Sequence, residues 1–266
     1  MSSTNILAVL LDWAGTTVDY GSRAPTQVFM EIFHRRGVEI TAEEARGPMG
    51  RAKHEHIAMI AAVPRVAELW RQHHGTTPIE SDVRAMYEDF LPLQKEILRL
   101  GSSVIPGIPQ AIAELRQRGI RIGSTTGYTR ELMEIVIPIA AAEGYQPDAV
   151  ICSDEVSAGR PAPWMNIRTA EKLAVYPLHQ IVVVDDTPVG IEAAKNGGMI
   201  AVAVSLTGNA LGLSEAEIQC LPRPELQNRL SKIEKEFRSI GADHVILSVA
   251  ELPMLLSDIY AARGPN

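Results

Sequence analysis

Apolar positions follow two regimes along this chain. Residues 6–11 form an unbroken apolar run, the pattern of a strand buried on both faces, and the run stops at Asp12. For about a hundred residues afterwards the apolar positions recur at helical spacing and no strand pattern stands out. Val28, Phe29, Ile32 and Phe33 mark one face of a helix over 26–36, with Gly37 placed to end it. Thr41-Ala42-Glu43-Glu44 has capping-box spacing and starts another helix. Further helices are predicted over 51–62, 65–74 and 81–100, the last kinked or divided at Pro92.

Short strand-like runs then alternate with helical segments. A helix opened by Pro106-Gly107-Ile108-Pro109 and closed at Gly119 precedes a strand over 120–125. A helix over 130–143, interrupted near Pro138, leads to a strand over 149–152. A helix over 163–173 leads to the β-branched strand 181–184, which ends in Asp185-Asp186. A helix over 189–196, closed by Gly197-Gly198, leads to a strand over 200–204. Such alternation predicts an α/β fold, a Rossmann-like parallel sheet with helices on both faces. The helical block between the first two strands then reads as an inserted all-helical cap. The predicted division is a core of residues 1–20 and 101–266 with a cap of 21–100. No internal repeat or low-complexity segment interrupts this plan.

The strand ends carry the chemistry. Open α/β sheets bind ligands at the carboxyl ends of their strands. Asp12 sits at one such end, Thr125-Thr126-Gly127 at a second and Asp185-Asp186-Thr187 at a third. Arg160 lies between them in the loop Gly159-Arg160-Pro161-Ala162-Pro163. Each has a bland reading alone: Asp12 as a turn cap, Thr126 as a turn residue, Arg160 as a solvated charge, Asp185-Asp186 as a helix cap. Four such features in order at successive strand ends favour a phosphate-and-metal pocket. Carboxylates from two strands suit Mg²⁺, and the small residues after Asp12 offer amides and hydroxyls to phosphate oxygens. Asp12 itself has two possible tasks, attack on phosphorus or cation binding.

Charge and cysteine usage narrow the partners. The formal net charge is -7 and no Lys/Arg block stands out, which argues against nucleic acid or an anionic membrane. A small anionic substrate remains compatible, since local fields decide its binding. Cys152 and Cys220 lack metal-ligand spacing and read as a core hydrophobe and a surface thiol. Met1–Asn5 has no basic segment, the apolar run after it is too short for a signal sequence, and no run approaches a membrane span. The expectation is a cytosolic enzyme.

The ordered set Asp12, Thr126, Arg160 and Asp186 resembles the four motifs of the haloacid dehalogenase superfamily, in which most members have Lys where Arg160 stands. The helical insertion resembles that superfamily's C1-type cap, and the resemblance spans nearly the whole chain. It implies that Asp12 is the nucleophile. It also implies that Mg²⁺ is held by Asp12, the Ala14 backbone carbonyl and Asp186, and that Thr126, Gly127 and Arg160 contact phosphoryl oxygens. Two departures stand out. Superfamily phosphatases carry a second Asp two residues after the nucleophile, which protonates an alkoxide leaving group; here that position is Ala14. General acid catalysis of that kind is worth roughly 10²–10⁴-fold. Many members also carry an Asp four residues after the last motif Asp; here it is Gly190, and Asp185 is the residue placed to compensate.

Longer stretches closely resemble the phosphonoacetaldehyde hydrolase family: Asp12-Trp13-Ala14-Gly15-Thr16-Thr17-Val18-Asp19-Tyr20-Gly21, Pro48-Met49-Gly50 with Lys53, Gly123 to Thr129, and Gly159 to Met165. Expelling a carbanion from phosphorus needs an electron sink rather than an oxygen acid. An imine between a lysine and the neighbouring aldehyde supplies one, provided the lysine is largely neutral. The resemblance assigns that task to Lys53, in a segment with Arg51, His54 and His56, and gives Met49, His56 and Tyr128 to the substrate site. The bland alternatives for His56 and Tyr128, a solvated helix histidine and a packed loop tyrosine, stay open. The resemblance further implies a homodimer through the caps, for which the 28–33 apolar face is the sequence candidate. Two rivals remain, a sugar-phosphate phosphatase or mutase of the same fold and a catalytically silent phosphate-ligand binder. Ala14 and Lys53 oppose the first; Asp12 and Lys53 together oppose the second.

Overall fold

The computed structural model describes residues 6–263, so the Met1–Asn5 segment lies outside the described residues. Among these, β1 (Ala8–Leu11), β2 (Arg121–Thr126), β3 (Ala149–Cys152), β4 (Ile181–Asp185), β5 (Ile200–Val204) and β6 (His244–Ile246) form one parallel sheet in the order β3-β2-β1-β4-β5-β6. Leu11 pairs with Ser124 on one side and Val184 on the other, so strand order reverses at β1. The crevice at that reversal opens beside Asp12, where a doubly wound sheet binds its ligand.

The unbroken apolar run of β1 follows from its central position. Val9 and Leu11 enter one hydrophobic cluster and Ala8 and Leu10 another on the opposite face. Helices α6 (Ile108–Gln117), α7 (Arg130–Ala142) and α12 (Leu252–Arg263) supply the first cluster; α8 (Trp164–Lys172), α9 (Pro188–Asn196) and α11 (Arg223–Ser239) supply the second. α10 (Glu215–Cys220) lies between β5 and α11 in sequence.

The inserted cap comprises α1 (Arg23–His34), α2 (Ala42–Arg46), α3 (Lys53–Ala61), α4 (Pro64–His74) and α5 (Glu80–Gly101). It encloses its own cluster, from Val28 to Phe90. The capping box forms as predicted: Thr41 Oγ1 accepts from the Glu44 amide and Glu44 accepts from the Thr41 amide. Three expectations are corrected. α5 is not divided at Pro92, and α7 is not interrupted at Pro138. Each proline forfeits a hydrogen bond, but α5 packs against α1, α3 and α7, and such packing outweighs a local penalty of about 3 kcal/mol. Finally, Val28, Phe29, Ile32 and Phe33 are fully buried inside the cap's own cluster, so this face has nothing left to offer a partner.

Two crossings join cap to core side by side. Val18 bridges Val104, and the Asp19 amide donates to the Ser103 carbonyl at 3.0 Å. Asp19 and Ser22 adopt left-handed φ values of 55° and 49°. The Asp19 carboxylate accepts from the Arg23 and Ala24 amides at 3.1 and 3.0 Å, which starts α1 three residues before the predicted Thr26.

Candidate active site

Asp12 follows β1 directly and is 7% exposed. Burial raises its carboxyl to about 6, against the pull of Arg160. Arg160 turns inward from its loop. Its Nη2 lies 2.6 Å from Asp12 Oδ1 and its Nη1 3.2 Å from Asp185 Oδ2. It also donates to the Thr125 carbonyl at 3.1 Å and to Thr125 Oγ1 at 2.7 Å. Burial opposes its charge, but Asp12 and Asp185 more than restore it.

Asp186 is gripped on both oxygens. Thr16 Oγ1 donates to Oδ1 at 3.0 Å, and the Asn209 amide donates to Oδ2 at 2.6 Å. Asp185 Oδ1 accepts from the Thr187 amide at 2.9 Å and the Thr187 hydroxyl at 2.6 Å. Oxygens of Asp12, Asp185 and Asp186 lie within 4.8 Å of one another, all buried. Burial, then Asp12 and Asp185, pushes the Asp186 carboxyl far above the ordinary range.

From the cap, Lys53 opens α3 and is 4% exposed. Its Nζ stands 4.8 Å from the Tyr128 ring centroid and 5.4 Å from that of Phe29. No carboxylate pairs with it among the described residues. Burial lowers its pKa to about 8; Asp12 opposes the shift and Arg160 adds to it. The assisting cation therefore comes from the core. Arg51 and His54, its sequence neighbours, instead pair with Glu55 at 2.5 Å and Glu80 at 3.1 Å.

These groups close on a cavity of about 20 Å³, room for about one water. Asp12, Ala14, Thr126, Gly127 and Arg160 line it from the core, Met49 and Lys53 from the cap, with Tyr128 beside Lys53. Gly50, at φ +91°, lets the cap turn approach so closely that a Cβ would stand 2.5 Å from Thr187 Oγ1.

Comparison with known proteins follows the same lines. A profile of the haloacid dehalogenase-like hydrolases matches residues 6–198. Phosphonoacetaldehyde hydrolases of Bacillus cereus (strain B4264) and Paraburkholderia phytofirmans are 46% and 45% identical, aligned over 96% and 98% of both chains. The chain belongs to the phosphonoacetaldehyde hydrolase family. A solved phosphonoacetaldehyde hydrolase-like protein from Oleispira antarctica shares 38% identity at a TM-score of 0.95, covering 98% of this chain and 95% of its own.

Two further positions complete the site of this phosphonoacetaldehyde hydrolase family member. His56 neither meets solvent nor lines the cavity. It is fully buried, its Nε2 2.8 Å from the Ala45 carbonyl and its ring stacked 3.8 Å from Phe29. Burial, then Lys53, holds it well below its ordinary pKa, so a neutral ring donates from Nε2 and its Nδ1 has no partner. The second is Gly190. A Cβ there would lie 1.9 Å from Asp185 Cγ. The Asp185 carboxylate thus fills the space that a side chain at 190 would enter.

Thr187, named at the third strand end, also lines the cavity, as does Ser22, which the sequence did not single out. Ser22 Oγ is buried without a partner. Its only sequence signal is its place beside Asp19-Tyr20-Gly21, where the chain leaves the core. As for a metal, three buried carboxylates cluster beside one guanidinium that pairs with only two of them, Asp12 and Asp185, and this excess of acidic oxygen donors fits a hard divalent cation. Among the described residues no helix is long and apolar enough to cross a membrane.

Proposed function

We propose that this chain hydrolyses the C–P bond of phosphonoacetaldehyde, giving acetaldehyde and phosphate in phosphonate degradation. The observation that carries the reading is the meeting of a buried, unpaired amine with a carboxylate nucleophile, where a superfamily phosphatase has an acid and this chain has Ala14. The family relatives bear the same activity in their names.

In this reading, the neutral Lys53 amine attacks the aldehyde carbon, loss of water leaves an imine, and uptake of a proton on its nitrogen gives the iminium. An Asp12 oxygen attacks phosphorus as the C–P bond breaks, and that electron pair flows into the iminium to give an enamine. Asp12 now carries the phosphoryl group as an acyl phosphate. Water hydrolyses it to phosphate and free Asp12. Protonation of the enamine at carbon and hydrolysis of the resulting imine release acetaldehyde and Lys53. Ala14 is tolerated because no alkoxide leaves. Arg160, freed from Asp12 by the substrate, pairs with phosphoryl oxygens beside Thr126 and Gly127, and Met49 and Tyr128 enclose the aldehyde end.

Asp12, the Ala14 carbonyl and Asp186 would hold Mg²⁺, with Asp185 behind them; the bound ion would neutralise the carboxylates and the incoming phosphonate. The site is lined from both sides, so the cap, a domain of about residues 21–100 by its separate hydrophobic cluster, would move against the core as substrate enters and product leaves. Acetaldehyde release from phosphonoacetaldehyde, measured with and without EDTA, tests the reading. Faster turnover of a phosphate monoester would replace it.

A further inference from the structure

The turn after β5 belongs to the core, yet it holds both the cap and Asp186. The Asn209 amide donates to Asp186 Oδ2 at 2.6 Å. The same residue faces the cap with its other groups: its Nδ2 donates to the Arg46 carbonyl at 3.3 Å, and its own carbonyl accepts from Arg46 Nη1 at 3.3 Å. Arg46 ends α2, and its guanidinium also reaches the Gly21 carbonyl at 3.5 Å, where the chain enters the cap. Glycines permit the fit. A Cβ on Gly212 would fall 1.1 Å from Arg46 Nη1, and one on Gly208 would stand 2.6 Å from the Asp186 Cβ. Thr207 ties the turn to the Asp12 loop, its hydroxyl donating to the Gly15 carbonyl at 2.9 Å and its carbonyl accepting from the Gly21 amide at 2.8 Å.

We infer that the Arg46–Asn209 clasp couples cap closure to the metal site: docking of Arg46 on the 207–212 turn sets the Asn209 amide that orients Asp186, so the cation is held more tightly when the cap is shut. Arg46 and Asn209 are positioning residues, since neither lines the cavity or touches the reacting atoms. The clasp favours the arrangement in which Asp186 is gripped on both oxygens, and an oriented carboxylate loses less freedom on binding a cation. By linkage, a cation at the site favours the shut cap to the same degree. This inference rests on the metal reading above.

The test is calorimetric titration of Mn²⁺, as a probe of the divalent site, into the full-length protein without substrate, with circular dichroism melts alongside. Arg46→Ala should weaken Mn²⁺ binding by roughly 10-fold, the low end for partners beyond the ligands themselves. Arg46→Lys should recover part of the loss. Gly212→Ala, which drives a methyl into the guanidinium, should mimic Arg46→Ala. Arg23→Ala removes another cap-to-core contact, the 2.9 Å bridge to Glu217, without touching the turn, and should bind Mn²⁺ like the parent. Unchanged Mn²⁺ affinity in a folded Arg46→Ala protein overturns the coupling, as does an equal loss in Arg23→Ala. A parent protein that binds no Mn²⁺ overturns the metal reading instead.

Discussion

Lys53 offers the sharpest quantitative test. Its pKa falls from 10.5 to about 8, with burial the leading cause. At pH 7 that leaves ~10% of the side chain as free amine, against ~0.03% for an ordinary lysine, a gain of ~300-fold in reactive form. The same shift has a stability counterpart of about 3 kcal/mol, and its sign follows from proton counting. Below pH 8 the group is protonated in both states, and the native state bears the full cost of the buried ammonium. Between 8 and 10.5 the unfolded chain holds more protons than the native one, so parent stability climbs with pH. Lys53→Met removes the group. It should therefore be inactive yet more stable than the parent by about 3 kcal/mol at pH 7, with the gap closing as pH approaches 10.5. Urea melts of both proteins across pH 7–10 measure the gap. Borohydride added with phosphonoacetaldehyde should inactivate the parent, leave a mass adduct on Lys53, and act faster as pH rises through 8. Lys53→Arg should lose almost all turnover, since a guanidinium stays protonated. A Lys53→Met protein no more stable than the parent at any pH would refute the desolvation argument. Substantial turnover by Lys53→Arg would refute the imine.

Other expectations follow from the same geometry. Asp12→Ala should be inactive yet still trapped by borohydride, because imine formation precedes attack on phosphorus; a mass spectrum without adduct would contradict that order. EDTA should abolish turnover and Mg²⁺ restore it, while Asp186→Ala should stay folded and lose most activity; full activity in chelator would sink the metal assignment. Asp185→Ala should weaken Mg²⁺ binding by roughly 10–100-fold, and an unchanged titration would remove Asp185 from the metal's surroundings. Light scattering at micromolar concentration should give a dimer mass. With the 28–33 face buried, Met30 and Met59 are the large apolar side chains left exposed on α1 and α3, and a monomer mass would end that proposal.

The central sheet was legible because β1 and β4 are fully buried and most residues of β2, β3 and β5 are buried as well. β3 and β5 emerge over the predicted residues, and β1 within the predicted run, since a strand covered on both faces needs an unbroken apolar segment. Past Val204 the pattern fades. β6 has three residues, and only Ile233 and Phe237 of α11 are buried, too few to mark a helical face. Pro92 and Pro138 misled because a proline reports a local cost and not the packing that overrides it. At the site, strand-end residues were readable from spacing, since β-strand geometry carries them to one edge. His56 was not: its depth depends on Phe29 and Ala45, which nothing near it in sequence announces. Asn209 is similarly hidden, acting on Asp186 through a backbone amide that any residue but proline possesses.

The overlap between Asp185 and position 190 also constrains how such a site can change over generations. With Cγ of Asp185 only 1.9 Å from where a Cβ on residue 190 would stand, the two positions cannot both carry side chains while Asp185 keeps its present conformation. Gly190→Asp alone would collide with Asp185, and loss of Asp185 alone would leave the space empty. A lineage switching from one position to the other must cross a chain with a crowded pocket or one with a vacant pocket, and both are handicapped. The effects of substitutions at the two positions should therefore be coupled rather than additive. A substitution that is harmless in a relative carrying the opposite pair would be damaging here, and the damage would vanish once its counterpart changed.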